Sequence, residues 1–356
     1  MQQPTPDPDL ASRELTCAFA LPASFYVGTA ADERDRRQIF ARSWQLVAHA
    51  TDVAQPGDHV VADLAGVPLL IVSGDDGTLR ALHNVCRHRA GPLALCAGRR
   101  AKRFRCRYHG WTYALDGQLS SAPEMDDAEH FAVADIRLPE ARVAQWQGLV
   151  FAALDDSPPF AHLVDGIDAR IGPGRLDGYV LQQRVAYDID CDWKVYVDNY
   201  LEGYHVPHIH PELNRMLDYR SYRTELSRWH SLQWSPLESA EELYGNGDAL
   251  YYWLWPNTML NILPGRLQTN RVLPRGPGRC RVEFDFHYPA DIDDAARRAH
   301  DAAFSDLVQK EDVDICERVQ RGLASGSYVA GRLNPLRESG VHHFHELLRS
   351  AYRVHR

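Results

Sequence analysis

Two short pairs of ligand-type residues constrain this chain more than any other feature of its sequence. Cys86-Arg87-His88 is followed, after a loop of seventeen residues, by Cys106-Arg107-Tyr108-His109. Two thiolates and two imidazoles can surround a zinc ion or an iron–sulfur cluster that has two sulfur and two nitrogen ligands. Glycine follows closely after each pair, at Gly91-Pro92 and Gly110-Trp111, so each pair is predicted at the tip of a turn. Zinc fingers usually space each pair by two or more residues, and the one-residue gap in Cys86–His88 fits them poorly.

The charge distribution around these pairs differs from that of the whole chain. The net charge of −9 argues against nucleic acid as a general partner. The stretch between Cys86 and His109 contains no acidic residue and eight basic ones: Arg87, Arg89, Arg99, Arg100, Lys102, Arg103, Arg105 and Arg107. These side chains form either an ordinary solvated face or a docking surface for an acidic electron donor, and the sequence leaves both interpretations open.

Hydropathy and cysteine usage indicate the compartment. The longest apolar run, from Val67 to Val72, is far too short to cross a bilayer. The first residues carry Pro, Asp and Glu instead of a basic patch and an apolar core, so they do not predict a secretory signal. Seven scattered cysteines do not form a disulfide framework. We therefore expect a soluble cytoplasmic protein with no membrane segment.

The pattern of apolar residues predicts an α+β fold in three parts. Residues 1–44 are expected to form an arm and a helix, residues 45–157 a small antiparallel β domain that holds the ligand pairs, and residues 158–356 an α+β domain with an antiparallel sheet. Ser157-Pro158-Pro159 marks the second boundary. Strands are predicted at Gln45–Ala50, His59–Asp63, Pro68–Ser73, Leu79–His83, Trp111–Ala114, Leu149–Leu154, Leu181–Ile189, Leu254–Leu263 and Arg279–Tyr288. Helices are predicted from Ala31 to Trp44, from Trp193 to about His205, and over Asp293–Ala324 in two pieces.

A second metal site is predicted in the α+β part. His205 and His210 would point about 140° apart on an unbroken helix, but Pro207 prevents one. A chain that curls back after His205 could bring both imidazoles to one ion, with His208 left at the surface or behind the ligands.

Asp312 is the candidate third ligand. Ile315, Cys316, Val319 and Leu323 follow it along the apolar stripe of a helix, where a carboxylate must be paired, protonated or bound to metal. The alternative is an N-cap that starts a second helical piece. Two His and one carboxylate leave coordination positions open, as in non-haem Fe(II) oxygenases.

These residues together resemble the Rieske non-haem iron oxygenases, specifically their oxygenase (α) component. The resemblance covers nearly the whole chain and rests on Ile39-Phe40 with Ser43-Trp44, the Cys86/His88 and Cys106/His109 loops, Asp198-Asn199-Tyr200-Leu201-Glu202 through His210, and Glu311-Asp312 through Leu323. It implies a Rieske domain and a catalytic domain of the helix-grip type.

The resemblance also implies cofactors and roles for particular residues. Cys86, His88, Cys106 and His109 would ligate the [2Fe–2S] cluster, and His205, His210 and Asp312 the mononuclear Fe(II). Glu202 would bridge His205 to the cluster ligand His109 of a neighbouring subunit in a homotrimer, and Asn199 is a candidate for ordering the iron site. Electrons would come from a separate NAD(P)H-dependent flavin or iron–sulfur reductase, with or without a ferredoxin, since the chain lacks a dinucleotide-binding Gly-x-Gly-x-x-Gly.

The residue at the bridge position, 202, indicates which class of substrate to expect within this family. Most ring-hydroxylating members carry Asp at the bridge, whereas Glu202 resembles the branch that acts on quaternary ammonium compounds such as choline, carnitine and betaines. We therefore expect hydroxylation or N-demethylation of such a compound, held by an aromatic cage. Candidate walls, which could equally be core residues, are Tyr200, Tyr204, Trp253, Trp255 and Phe344.

Other functions stay open at this point. The chain could hydroxylate aromatic rings or aromatic acids as a monooxygenase or dioxygenase, or it could be a Rieske electron carrier that never reacts with oxygen. A structural zinc protein would explain the Cys/His loops alone. His342, His343 and His345 are read as surface or pocket-lining groups, because their spacing on a helix scatters them.

Overall fold

The computed structural model describes residues 8–154, 156–172, 174–237, 244, 247–291 and 294–354. The start of the predicted N-terminal arm, residues 1–7, lies outside this range. The chain divides into two compact units. One comprises Phe40–Phe160 and Ile171–Asp177, and the other takes in the chain before Phe40, Ala161–Arg170 and the chain from Gly178 onward. The sequence placed the corresponding boundaries at residues 44/45 and 157/158.

The first unit is built from antiparallel β-structure around the ligand pairs. A six-stranded sheet has the order β1-β9-β8-β4-β3-β2, and a small sheet has the order β5-β6-β7. The strands are β1 Gln45–His49, β2 His59–Leu64, β3 Val67–Ser73, β4 Leu79–His83, β5 Phe104–Arg105, β6 Thr112–Tyr113, β7 Leu119–Ser121, β8 Glu140–Trp146 and β9 Leu149–Ala153. β8 was not predicted, because its charged and polar residues leave only a weak alternation and most of its positions are partly exposed.

The second unit contains one seven-stranded antiparallel sheet in the order β10-β16-β15-β14-β13-β12-β11. Its strands are β10 Tyr179–Ile189, β11 Arg223–Leu226, β12 His230–Pro236, β13 Asp248–Leu254, β14 Thr258–Leu263, β15 Arg266–Pro274 and β16 Cys280–Pro289. The predicted strand Leu254–Leu263 is wrong as one element. It is a hairpin in which Leu254 of β13 pairs with Thr258 of β14, because Pro256 cannot donate to a ladder and starts the turn.

Seven helices complete the described part of the chain. They are α1 Thr29–Gln38, α2 Ile167–Ile171, α3 Trp193–Tyr200, α4 Val206–Ile209, α5 Pro211–Met216, α6 Ala295–Ala324 and α7 Ser339–Val354. α6 is one continuous helix of 30 residues, about 45 Å long, and the predicted break into two pieces is wrong. No proline interrupts it and its first glycine is Gly322, while Asp294 caps its start by accepting from Arg297 N at 2.9 Å.

α6 lies against the sheet of its unit, the arrangement that the term helix-grip describes. Tyr187 on β10 donates to Asp306 at 3.0 Å, and Ser305 donates to Gln268 on β15 at 3.3 Å. These contacts come from one side of the helix, so the residues at three- and four-residue intervals from Ser305 and Asp306 are held over the sheet.

The N-terminal helix α1 belongs to this second unit through a buried charge cluster. Asp35 on α1 accepts hydrogen bonds from Trp193 Nε1 at 2.9 Å, from Lys194 Nζ and from Tyr352 OH. Lys194 also lies 2.8 Å from Asp192 Oδ1, and its side chain is fully buried. The pair of carboxylates compensates the buried ammonium group, which would otherwise be very costly to bury.

None of the helices in the described part of the chain is long and apolar enough to cross a membrane.

Candidate active site

The two Cys/His loops have the same backbone geometry. Cys86 N donates to Gly91 O and Ala90 N donates to Cys86 O, at 2.9 and 3.0 Å; Cys106 N donates to Trp111 O and Gly110 N donates to Cys106 O, again at 2.9 and 3.0 Å. Ala90 and Gly110 occupy matching positions and both have positive φ, 56° and 79°. The loops therefore present their ligand residues as two similar turns, as predicted from the glycines that follow each pair.

The four side chains of these loops form a donor set that fits a Rieske cluster. Cys86 and Cys106 are buried in an apolar cluster, whereas the His88 and His109 rings are exposed and have centroids 4.6 Å apart. Cys86 Sγ lies 3.4 Å from Tyr113 OH, which can donate to it. Two buried sulfurs beside two exposed imidazoles match a [2Fe–2S] centre with one sulfur-ligated and one nitrogen-ligated iron.

One glycine is required by the cluster loops. A Cβ on Gly91 would lie 2.8 Å from Cys106 Sγ, closer than real Cβ contacts come. The absence of a side chain at position 91 therefore leaves Cys106 the space to point at the same centre as Cys86.

The basic stretch between the pairs is fully at the surface. All eight of its Arg and Lys side chains are exposed, and Tyr108, beside the ligand His109, is 57% exposed. Arg89 lies over the Tyr108 ring at 5.1 Å. Arg89 is therefore a positive charge close to the exposed His109 ring.

The structure brings the three predicted iron ligands together. One ligand atom from each of His205, His210 and Asp312 lies within 4.8 Å of the others. Asp312 Oδ1 is 3.0 Å from His210 Nε2 and 3.9 Å from His205 Nε2. The three nitrogen and oxygen atoms suit Fe(II) with open positions, since no fourth protein ligand joins them among the described residues.

The local chain path explains how the histidines converge. α3 ends at Tyr200, earlier than the predicted His205, and His205 and His210 each precede a short helix, α4 and α5. Pro207 and Pro211 lie in the first turns of these helices, where proline is favoured. The intervening His208 is exposed.

Glu202 contacts His205 as expected of the bridge residue, and it does so across a turn and not along a helix. Glu202 Oε1 lies 2.6 Å from His205 Nδ1, and Oε2 accepts from the backbone amides of Tyr204 and His205. The helix ends at Tyr200, and in the turn that follows Gly203 packs so closely against the Tyr222 ring that a Cβ would lie 2.8 Å from it. The carboxylate thus fixes both the turn and the His205 ring.

The other two ligands are oriented by groups on α3 and α6. Asn199 Nδ2 donates to Asp312 Oδ1 at 2.6 Å, which is the contact expected of a residue that orders the iron site. Glu311 Oε2 lies 2.7 Å from His210 Nδ1. Burial lowers the pKa of His210, but its bonds to Asp312 and Glu311 outweigh burial and leave the pKa raised.

Glu311 is the functional residue that the sequence reasoning missed. It was noted only as part of a motif, yet it is the acceptor that sets the His210 ring. A chemical rule could have identified it. The second ring nitrogen of a metal-bound His normally donates its N–H to an acceptor, and Glu202 can accept from only one of the two histidines.

Asp312 lies inside α6 and does not cap it, so the alternative interpretation as an N-cap is wrong. Cys316 and Leu323 on the same stripe are buried, whereas Val319 is 45% exposed. The stripe is therefore buried at Cys316, exposed at Val319 and buried again at Leu323.

A cavity adjoins the three ligands. Its aromatic walls come from Tyr196 and Tyr200 on α3, Tyr222 before β11, Tyr251 on β13, Phe284 on β16 and Phe304 on α6. Polar residues of β15 and α6 complete its lining, among them Arg266, Gln268, Asn270 and Gln309.

Of the five predicted cage residues, only Tyr200 lines this cavity. Trp253, Trp255 and Phe344 are buried and pack on one another, with ring centroids 5.3 to 6.1 Å apart, so they belong to the core. Tyr204 is 46% exposed. The prediction failed for these four because aromatic content alone cannot distinguish a core from a cavity wall.

The three C-terminal histidines have separate surroundings. His345 is buried and its Nε2 lies 2.9 Å from Asp198 Oδ1, and Tyr26 OH donates to the same carboxylate at 2.6 Å. His342 Nε2 contacts Arg13 O at 2.7 Å. Burial lowers the pKa of His343 to about 4. They do not form a second ligand set among the described residues.

Comparison with known families identifies both units. A model of the ring hydroxylating alpha subunit (catalytic domain) matches residues 176–353, and a model of the Rieske [2Fe-2S] domain matches residues 43–137. The latter contains all four residues of the Cys/His loops, and the former contains the three residues of the second site.

Curated relatives and solved structures agree with the family models. Choline monooxygenase, chloroplastic, of Arabidopsis thaliana is 35% identical over 354 residues, which cover 94% of this chain and 83% of that protein. The carnitine monooxygenase oxygenase subunit of Escherichia coli K12 is 29% identical over 369 residues, covering 97% and 98%. A solved quaternary ammonium Rieske monooxygenase, 27% identical, matches with a TM-score of 0.87 over 94% of this chain and 96% of its own. The chain therefore belongs to the Rieske non-haem iron oxygenases, as a terminal oxygenase α subunit that carries a [2Fe–2S] cluster and a mononuclear iron and incorporates oxygen into its substrate.

Proposed function

We propose that this oxygenase hydroxylates or N-demethylates a small quaternary ammonium compound. The observation that carries the proposal is the cavity beside His205, His210 and Asp312, whose walls include four tyrosines and two phenylalanines. A methylated ammonium group cannot donate a hydrogen bond but is attracted to aromatic faces. The names of the relatives, choline and carnitine monooxygenase, support the same substrate class.

In this proposal the two metal centres are held by the residues described above. Cys86, His88, Cys106 and His109 hold the cluster, and His205, His210 and Asp312 hold Fe(II). When bound, the two centres supply single electrons and activate O2 for insertion into a C–H bond. On an N-methyl carbon, hydroxylation gives a product that collapses to formaldehyde and the demethylated amine.

The chain's own groups orient the ligands and the substrate. Glu202 accepts the Nδ1 proton of His205, and Glu311 that of His210, so each ring offers its Nε2 to the metal. Asn199 donates to Asp312 Oδ1, the oxygen that faces the Nε2 atoms of both histidines, and so holds the carboxylate at the ion site. The aromatic walls bind the cationic head of the substrate.

We further propose that Glu202 bridges His205 to His109 of a neighbouring subunit in a homotrimer. Supporting this, Glu202 and His205 line a second cavity besides the substrate cavity, together with Asp198 and Glu338. Acidic groups there complement the positive charge around His109. A light-scattering mass of three chains is expected, and a monomer at micromolar concentration would refute the trimer.

The electron donor is proposed to be a separate reductase or ferredoxin with an acidic docking face. The eight exposed basic residues near the cluster loops support this. Reduction by the donor should slow steeply as ionic strength rises. The five cysteines outside the cluster loops, all in the described part of the chain, form no disulfide, which supports a reducing, cytoplasmic location.

Metal analysis with oxygen uptake tests the proposal. Holoenzyme should contain about three irons per chain, since a Rieske cluster holds two and the second site one. Choline, carnitine and betaines should stimulate oxygen consumption, with formaldehyde released wherever N-methyl groups are attacked. His205→Ala should keep the cluster absorbance but lose about one iron and all substrate-coupled uptake. Coupled turnover by that variant would contradict the assigned site, and stimulation by aromatic acids alone would favour the ring-hydroxylating alternative.

A further inference from the structure

The polar lining of the substrate cavity has an excess of hydrogen-bond donors. The side-chain amide oxygens are already occupied: Asn261 Oδ1 accepts from Tyr200 OH at 2.7 Å, and Gln309 Oε1 accepts from Tyr196 OH at 2.6 Å. Burial raises the pKa of both phenols well above its ordinary value, so they stay protonated and donate. The amide nitrogens are therefore the ends of these side chains that remain for a ligand.

Gln309 shows this most clearly. Its side chain is 1% exposed, and its Nε2 has no hydrogen-bond partner in the parts of the chain that the structure describes. A buried amide N–H group without a partner costs about 1–3 kcal/mol. Gln309 lines the cavity and lies one helical turn before the ligand Asp312, about 5 Å along α6.

Strand β15 adds donors on the same cavity. Arg266, Gln268 and Asn270 alternate along the strand and therefore share one face, and all three are buried. Gln268 Nε2 donates to Asn270 Oδ1 at 2.9 Å, which occupies the oxygen of Asn270 and turns its own amide nitrogen to the cavity. Asn261 is paired directly with Gln268 across the strands and continues this face.

Arg266 supplies positive charge to this wall. Its Nε lies 3.0 Å from Asp301 Oδ2, and Tyr244 and Tyr288 also donate to Asp301. One terminal N–H group donates to Tyr244 OH and another to Gln268 Oε1, while the Nε N–H lies beside Asp301 without a hydrogen bond among the described residues. The remaining N–H groups and the amide nitrogens of Gln309, Asn270 and Asn261 can bind an acceptor with several lone pairs, which is the chemistry of a carboxylate.

We propose that the substrate is a zwitterion, with its trimethylammonium group among the tyrosines near the iron ligands and a carboxylate on the donor wall of Arg266, Asn270 and Gln309. This inference rests on the proposed function and narrows it. The wall extends along α6 from Gln309 to Ser305, roughly 5 to 10 Å before Asp312, which suits a short carbon chain between the two poles. Choline has a cationic pole and one hydroxyl group, so it leaves most of these donors unpaired.

Binding of two quaternary ammonium compounds with the same head and chain, one with a carboxylate and one without, tests the acid pole. Calorimetric titration of anaerobic holoenzyme would compare 4-(trimethylammonio)butanoate with butyltrimethylammonium, which has the same cationic head and no carboxylate. We expect the acid to bind at least about tenfold more tightly, because hydrogen bonds to a charged group contribute more than neutral ones. Equal affinities would overturn the acid pole and leave the quaternary ammonium proposal standing. No binding of either compound would overturn both proposals.

Substitutions at Gln309 test whether the donor wall causes the preference for the compound with a carboxylate. Gln309→Met keeps the side-chain volume and should reduce the acid-to-butyl affinity ratio about tenfold, with butyltrimethylammonium affinity little changed. Gln309→Glu keeps the acceptor for Tyr196 and should disfavour the acid further through like-charge repulsion. Lys310→Met is the matched control, since Lys310 is exposed on the outer face of the same helix turn. A ratio that the Gln309 variants leave unchanged, in protein whose melting temperature and cluster absorbance are normal, would refute the assignment.

Discussion

Replacing Glu311 tests whether the iron site depends on the acceptor behind His210. The Glu311 carboxylate lies 2.7 Å from His210 Nδ1, and its side chain is 28% exposed, so the contact is partly screened from water. Loss of such a partner typically costs 10- to 100-fold in metal affinity, about 1.4 to 3 kcal/mol.

Two substitutions should give graded effects. Glu311→Gln keeps an acceptor oxygen but loses the charge, so we expect a loss near the tenfold end of the range. Glu311→Leu removes charge and acceptor, and the loss should approach 100-fold. Glu212→Gln is the control, because Glu212 is exposed on α5 and pairs with Arg215.

The assay is Fe(II) affinity of the mononuclear site, measured by competition with a chromophoric chelator on protein whose cluster is intact. Cluster absorbance should be unchanged in all variants, since Glu311 and the cluster loops belong to different units. Fe(II) affinity of Glu311→Leu within twofold of wild type would refute the idea that Glu311 orients His210.

Three further predictions concern the rest of the molecule. Gly91→Ala should lower cluster occupancy severalfold in absorbance and iron content, because the new Cβ would lie 2.8 Å from Cys106 Sγ; full occupancy would contradict this contact. Burial lowers the pKa of His343 to about 4, so protonation of this residue favours the unfolded chain. The free energy of unfolding should therefore be highest above the unfolded pKa of about 6.5 and fall by up to roughly 3 kcal/mol as the pH drops toward 4. In His343→Gln that part of the loss should vanish in urea titrations at several pH values, and parallel pH curves would contradict it. Lys194→Met should destabilise the protein by about 3–5 kcal/mol in chemical denaturation, because it leaves the buried Asp35 without its cation; a change below 1 kcal/mol would count against the buried ion cluster.

The sequence predicted the parts of the fold that depend on local chemistry. The antiparallel sheets, the Cys/His loops at turns and the pairing of His205 with His210 around Pro207 all follow from residue types at short spacing. β12 and β15 were missed because they combine polar residues with largely buried positions, so the expected alternation is weak. β11 was missed because it has only four residues and is mostly exposed, and β13 was predicted only at its last residue, Leu254.

The substrate cavity depends on contacts between residues far apart in sequence, which local patterns cannot show. Tyr251 and Phe284 meet at the cavity only because β13 and β16 belong to one sheet. Conversely, Trp253 differs from Tyr251 by two positions and yet lies in the core. Glu311 was overlooked for a related reason, since its partner His210 is 101 positions away.

α6 couples two properties that could otherwise vary independently. The iron ligand Asp312, the orienting Glu311 and the donor-wall residue Gln309 all belong to one uninterrupted helix without an internal hinge. A shift of α6 would displace the iron ligand Asp312 and the carboxylate-binding Gln309 by the same amount. The rise of this helix therefore sets the distance between the substrate carbon that is oxidised near Asp312 and the substrate carboxylate that is bound near Gln309. A longer substrate would require donor residues one helical turn further from Asp312.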